Sequence, residues 1–97
     1  MIKWGENLSD EEIEEKVIEI AAEVLGRSKE GITRETSFIG DLDADSLNTV
    51  YLVTEFEEEF LLSIPDEKVD ELQTIGRVVD YVKNGLAERP APYFADN

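Results

Sequence analysis

Histidine and cysteine are absent from this chain, and basic residues are few: 9 Lys and Arg stand against 24 Asp and Glu. Without cysteine there is no disulfide framework and no thiolate metal site, which fits a reducing compartment. Without histidine no Ser-His-Asp arrangement can form. The formal net charge of -15 repels nucleic-acid phosphates and anionic membrane surfaces and favours basic protein surfaces, so neither nucleic acid nor membrane is an expected partner. No apolar stretch approaches a membrane span, and residues 1–7 lack the apolar run of a signal peptide. The cytoplasm is the expected location.

What is present is enough for one small domain. The 97 residues are 41% hydrophobic and 34% charged, sufficient for a modest single core. Ser9-Asp-Glu-Glu12 has the reciprocal capping pattern that opens a helix, Ile13, Val17, Ile20, Ala21 and Val24 recur at helical spacing, and Gly26 supplies a stop. From Arg27 to Asp45 the periodicity is lost. A connection this long reads as a pinned functional loop, with Ile32, Phe38, Ile39 and Leu42 covering the core.

Asp45 is an N-cap candidate for a second helix over 46–60, with Thr49, Leu52, Val53, Phe56 and Phe60 on its core face. Leu47, Val50 and Thr54 form a separate stripe flanked by Glu57 and Glu58. Ile64-Pro65 ends this segment, and 66–72 reads as one or two helical turns with Val69 and Leu72 inward. Thr74 caps a last helix carrying Ile75, Val78, Val79 and Val82, closed by Asn84-Gly85. No run demands a strand. The expectation is an all-α four-helix bundle with three longer helices, a short third helix and a long first loop. Residues 1–8 are expected to be an extension, 9–85 the domain, and 86–97, with Pro90 and Pro92, a mobile tail.

Asp41, Asp43 and Asp45 imitate the opening of a calcium loop, but its sixth and twelfth positions, which need Gly and a bidentate Glu, hold Ser46 and Leu52. No dedicated metal site is expected. Ser46 has no histidine base, no lysine near in sequence and no Gly-x-Ser-x-Gly elbow, so it is not read as a nucleophile. Taken alone, it is a serine in the first turn of a helix. Its surroundings say more: from Asp41 to Glu71 there are eleven acids and one base, Lys68. An exposed serine at a helix start is suited to accept a phosphodiester, whose charge the helix dipole and nearby N–H groups favour. The apolar stripe and acids beside it suit docking to basic, partly apolar surfaces.

These residues carry a family resemblance. Asp-Leu-Asp-Ala-Asp-Ser-Leu-Asn (41–48), Thr49-Val50, Leu52-Val53, Glu57-Glu-Glu-Phe60, Ile64-Pro-Asp-Glu67 and Asp80-Tyr-Val82 follow, in order and spacing, the landmarks of acyl carrier proteins. The chain resembles that family over approximately residues 9–84. The resemblance implies a non-catalytic monomeric carrier whose Ser46 receives 4′-phosphopantetheine from coenzyme A through a Mg-dependent phosphopantetheinyl transferase, with Asp45 and Leu47 presenting the serine. Acyl thioesters would be offered to ketosynthases, acyltransferases and similar enzymes of fatty-acid, lipid or polyketide synthesis. Asn48, Val50, Tyr51, Thr54, Glu57 and Glu58 would meet those partners, and Phe38, Phe56, Ile64, Val69, Leu72 and Val78 would line an acyl pocket.

Four positions depart from the family's habit: Asp43 where Gly is usual, Asn48 for Asp, Tyr51 for Glu, and Thr54 for a bulky apolar residue. They suggest a specialised carrier serving a dedicated synthase or acyltransferase, and Phe56 is placed to shorten the pocket. The extension with Trp4 and the proline-containing tail exceed the usual compact length. A peptidyl or aryl carrier of a nonribosomal pathway ranks behind, because Asp43-Ala-Asp45-Ser-Leu does not match Gly-Gly-(His/Asp)-Ser-Leu. An acidic helical adaptor without prosthetic group is the rival from another class, and it would respond to calcium without needing Ser46.

Overall fold

Local signals set the first helix. In the computed structural model, which describes residues 9–88, Ser9 Oγ accepts from the Glu12 N–H at 3.1 Å and Glu12 Oε1 accepts from the Ser9 N–H at 2.8 Å. This reciprocal pair satisfies two of the N–H groups that a helix start leaves open. The helix, α1 (Asp10–Leu25), ends where Gly26 turns left-handed at φ 65°. The predicted N-terminal extension lies outside the described residues.

Three more helices follow: α2 (Ser46–Phe60), α3 (Asp66–Val69) and α4 (Ile75–Glu88). Over the described residues the fold is all-α with a short third helix, as the apolar spacing implies. Helix α1 packs against both α2 and α4. Their shared interior holds Ile13, Val17, Phe60, Ile75, Val78, Val79 and Val82, each almost completely buried. Helix α3 buries no residue fully, and Val69 and Leu72 are half-buried against the core. Among the described residues, no helix is long and apolar enough to cross a membrane.

The long connection between α1 and α2 is anchored through the backbone. Phe38 N donates to Gln73 O and Ile75 N to Thr36 O, both at 3.0 Å, forming an isolated antiparallel bridge between Ser37 and Thr74. One step further, Gly76 N donates to Arg34 O at 2.9 Å. A Cβ on Gly76 would lie 3.1 Å from that carbonyl oxygen, so the approach leaves little room for a side chain. The Arg34 guanidinium reaches Asp80 at 2.9 Å and Glu14 at 3.7 Å, tying the loop to α4 and α1. The hydrogen bond to Asp80, with the charge of both carboxylates, raises the Arg34 pKa.

Ile32, Phe38 and Leu42 are buried, as the loop reading requires, but Ile39 is 58% exposed. The cause is a turn: Ser37 N donates to Asp41 Oδ2 and Asp41 N donates to Ser37 Oγ. Phe38 and Leu42 reach the core from this turn, and Ile39 is left on its outer side.

The end of the last helix also differs from expectation. Asn84-Gly85 does not stop α4, which continues to Glu88, so the predicted tail does not begin at residue 86. Gly85 sits close under Leu62, whose Cδ2 would be 3.0 Å from an added Cβ, and Leu86 packs half-buried on the core. These contacts favour continued helix over the left-handed cap that glycine permits. Residues 89–97 of the predicted tail lie outside the described residues.

Removing the Phe60 ring, which is 1% exposed, should lower stability by about 3–5 kcal/mol in the Phe60→Ala variant. Leu47→Ala, at a position 60% exposed, should change it by less than about 0.5 kcal/mol. Urea denaturation followed by circular dichroism distinguishes the two, and equal losses would contradict this core assignment.

Candidate functional site

The site is organised by the start of α2. Asp45 Oδ1 accepts from the Asn48 N–H at 2.8 Å, and Asn48 Oδ1 accepts from the Asp45 N–H at 3.2 Å. Thr49 Oγ1 donates to the Asp45 carbonyl at 3.0 Å. The sequence identifies Asp45 as a cap and misses Asn48 as its reciprocal partner. The signal was available, since Asp-x-x-Asn repeats with an amide the capping logic of Ser-x-x-Glu. Ser46 then occupies the first helical position, exposed, and its hydroxyl makes no hydrogen bond among the described residues.

Ser46 also lies on the wall of a cavity of about 530 Å³. The six residues named from sequence as pocket lining, Phe38, Phe56, Ile64, Val69, Leu72 and Val78, all border this cavity, together with Leu52 and Val53. Leu52 and Val53 look like ordinary core in the sequence, because periodicity reports which face is inward and not where the interior is hollow. The Phe38 and Phe56 rings stand 6.4 Å apart, tilted by 58°. Two polar residues of the lining are held by their own neighbours, Thr49 by the Asp45 carbonyl and Gln73 by the Asp70 carbonyl, to which its Nε2 donates at 2.7 Å, while Ser46 and the Asp70 carboxylate lie at its edge without such a partner among the described residues. The space beside Ser46 is therefore walled mainly by hydrocarbon and aromatic groups.

The exposed side of α2 presents Leu47, Val50 and Tyr51, at 60%, 59% and 54% exposure. Of the other residues named as partner contacts, Thr54 and Glu58 are exposed, and Asn48 and Glu57 are half-buried. Thr54 Oγ1 donates to the Val50 carbonyl at 3.0 Å. Glu57 Oε2 accepts from the Ile64 N–H at 2.7 Å, holding the turn after α2. No sequence signal marked that role, because the pair is seven residues apart and bridges a turn.

The three loop acids have separate partners. Asp41 accepts from the Ser37 N–H, Asp45 caps α2, and Asp43 pairs with Arg27 at 3.0 Å. Among the described residues, no group of three or more acids is placed to hold a metal ion. Asp43 has φ 59°, a left-handed backbone that glycine adopts without cost and that Asp tolerates better than most residues. Arg27 also donates to the Leu42 carbonyl at 3.2 Å, so one guanidinium braces this strained corner three residues before Ser46.

Comparison with known proteins agrees with this geometry. The family described as "Phosphopantetheine attachment site" matches residues 15–82. Acyl carrier proteins from two strains of Porphyromonas gingivalis are each 45% identical over 75 residues, which is 77% of this chain and 96% of theirs. The solved structure of an acyl carrier protein from Enterococcus faecalis, noted for high thermal stability, superposes with a TM-score of 0.69 at 31% identity. That superposition covers 80% of this chain and 99% of the other.

The strained corner generates a test. Asp43→Ala loses the ion pair and keeps the left-handed backbone, and should cost about 1 kcal/mol. Asp43→Gly loses the same ion pair but relieves the backbone, and should lie closer to the parent in chemical denaturation. If glycine is as damaging as alanine, backbone strain is not what Asp43 tolerates here.

Proposed function

This chain belongs to the acyl carrier protein family, and on that premise we propose that Ser46 carries its 4′-phosphopantetheine arm and that the cavity beside Ser46 shelters the acyl cargo. Members of the family carry acyl groups for biosynthesis on a covalently attached 4′-phosphopantetheine. The observation that carries the assignment is Ser46 itself. It is exposed, its hydroxyl is uncommitted, and it stands at the positive end of α2 on the cavity wall.

The residues present fit such a group. The Asp45–Asn48 pair fixes the backbone so that Ser46 opens the helix, and the helix start favours the anionic phosphodiester. In the loading step Ser46 Oγ forms a bond to the β-phosphorus of coenzyme A. The pyrophosphate bond breaks, adenosine 3′,5′-bisphosphate leaves, and the serine proton passes to a base on the transferase. When attached, the arm supplies a thiol on which the acyl group is held as a thioester. The chain acts as carrier and substrate, and catalysis belongs to its partners: the transferase first, then acyl-processing enzymes such as ketosynthases and acyltransferases. Asp43, Asn48, Tyr51 and Thr54 support a specialised carrier with dedicated partners. The hydrocarbon walls contributed by Phe56, Ile64 and Val78 suit an aliphatic chain, whose transfer from water is favourable by about 0.8 kcal/mol per methylene.

Incubation with coenzyme A, Mg²⁺ and a broad-specificity phosphopantetheinyl transferase should add the mass of one phosphopantetheine, and Ser46→Ala should abolish the gain. An unmodified parent, or a modified Ser46→Ala variant, would refute the assignment. Loading a medium-chain acyl group should raise the thermal midpoint of the holo form by several degrees through cavity filling. Leu72→Phe, which narrows the cavity, should reduce that increment, and an increment indifferent to Leu72→Phe would place the cargo elsewhere.

A further inference from the structure

Helix α2 keeps hold of the chain beyond its own end. Leu61 takes a left-handed backbone at φ 54°, and Glu57 supplies the acceptors for three N–H groups of the turn that follows. Its carbonyl receives the N–H groups of Leu61 and Leu62, and its carboxylate oxygen Oε2 receives the Ile64 N–H at 2.7 Å. Any residue at position 57 would offer the carbonyl, but the carboxylate bond is what this side chain adds. From the other side, the Tyr81 hydroxyl on α4 donates to the Ser63 carbonyl at 2.8 Å. The turn 61–64 is gripped between α2 and α4.

What depends on this grip is Ile64, 4% exposed and part of the cavity wall. Pro65 follows without an N–H to donate, and α3 begins there with no side-chain cap. Val69 and Leu72 are only half-buried against the core. Segment 65–72 therefore takes its place chiefly from its two ends, the 61–64 turn and the pairing of 73–75 with the first loop. The pairing is made of backbone atoms throughout. The turn relies on two side-chain groups, the Glu57 carboxylate and the Tyr81 hydroxyl.

Resting on the reading that the cavity beside Ser46 shelters the acyl chain, we propose that Glu57 and Tyr81 are positioning residues for the cargo: by fixing Ile64 they hold the α3 wall closed and set how well the thioester is shielded. Glu57 then works inward, on the carrier's own interior. An Ile64 N–H deprived of its acceptor must turn to water, and water lies outside the wall, so removing the carboxylate favours states in which Ile64 has moved outward. Tyr81 acts in the same direction but more weakly, because Ser63 is exposed and its carbonyl can be hydrated in place.

The test uses the holo protein loaded separately with acetyl and octanoyl groups and treated with hydroxylamine. The hydroxylamine nitrogen attacks the thioester carbonyl, the C–S bond breaks, and the hydroxamate and free thiol are released, which intact mass follows. Each rate is divided by that of the same acyl group on free pantetheine, at a temperature where circular dichroism shows every variant folded. In the parent the octanoyl thioester should be slowed far more than the acetyl, which is too short to fill the cavity. Glu57→Ala should raise the octanoyl rate about fivefold to tenfold and Tyr81→Phe about twofold to threefold, with the acetyl rates unchanged. Glu57→Gln, whose amide oxygen still accepts from the Ile64 N–H, should stay near the parent. An octanoyl rate equal to the parent's in Glu57→Ala, or in Tyr81→Phe if Glu57→Ala does not fold, would overturn the proposal and leave the cavity reading standing. A Glu57→Gln variant as unprotected as Glu57→Ala would overturn the acceptor role. A parent that shields octanoyl no better than acetyl would overturn the cavity reading as well.

Discussion

The backbone pairing of 36–38 with 73–75 holds the functional end of this molecule together. It is short, only one bridge, yet it joins the loop before α2 to the chain entering α4. Phe38 reaches the cavity wall because its N–H is fixed to Gln73, and Ile75 enters the core because its N–H is fixed to Thr36. Buried backbone groups in an irregular loop must find partners, and here each segment supplies the other's. The floor of the cavity and the approach to Ser46 follow from that mutual satisfaction.

Electrostatics divides the protein into two regions. Six of the seven described bases, Lys16, Arg27, Lys29, Arg34, Lys68 and Lys83 but not Arg77, face carboxylates within 4.0 Å, so most positive charge is used internally, much of it to fasten the loop and helix ends. Individually such exposed pairs contribute little, about 0–1 kcal/mol. Their larger effect is to leave the surplus of acid unopposed along lower α2 and α3. A surface sorted in this way guides association more than it stabilises the fold.

Much of this was legible in the residues, wherever cause and effect lie close in sequence. The capping box at Ser9 and Glu12, the stop at Gly26, the cap at Asp45 and the exposed position of Ser46 need only a few neighbouring residues to be understood. The extra turn of α4 depended on Leu62 lying over Gly85, and the outward Ile39 on a turn closed by Ser37 and Asp41. Glu57 reads as another surface acid until Ile64 is brought over it. The six pocket residues came from family likeness. A hydrophobic pattern cannot separate a filled interior from a hollow one, since the same side chains face inward in both.

The third helix has a further consequence. It is four residues long, starts at a proline without a side-chain cap, and buries none of its residues fully, while Val69 still borders the cavity. Most of the other lining belongs to α2 and α4, helices of fourteen residues or more, or to a loop anchored on both sides. Local opening follows the least secured segment. The cavity thus has one wall that is secured by fewer buried contacts than the rest. Opening of 66–72 is therefore expected to need fewer contacts to break than opening at any of the long helices.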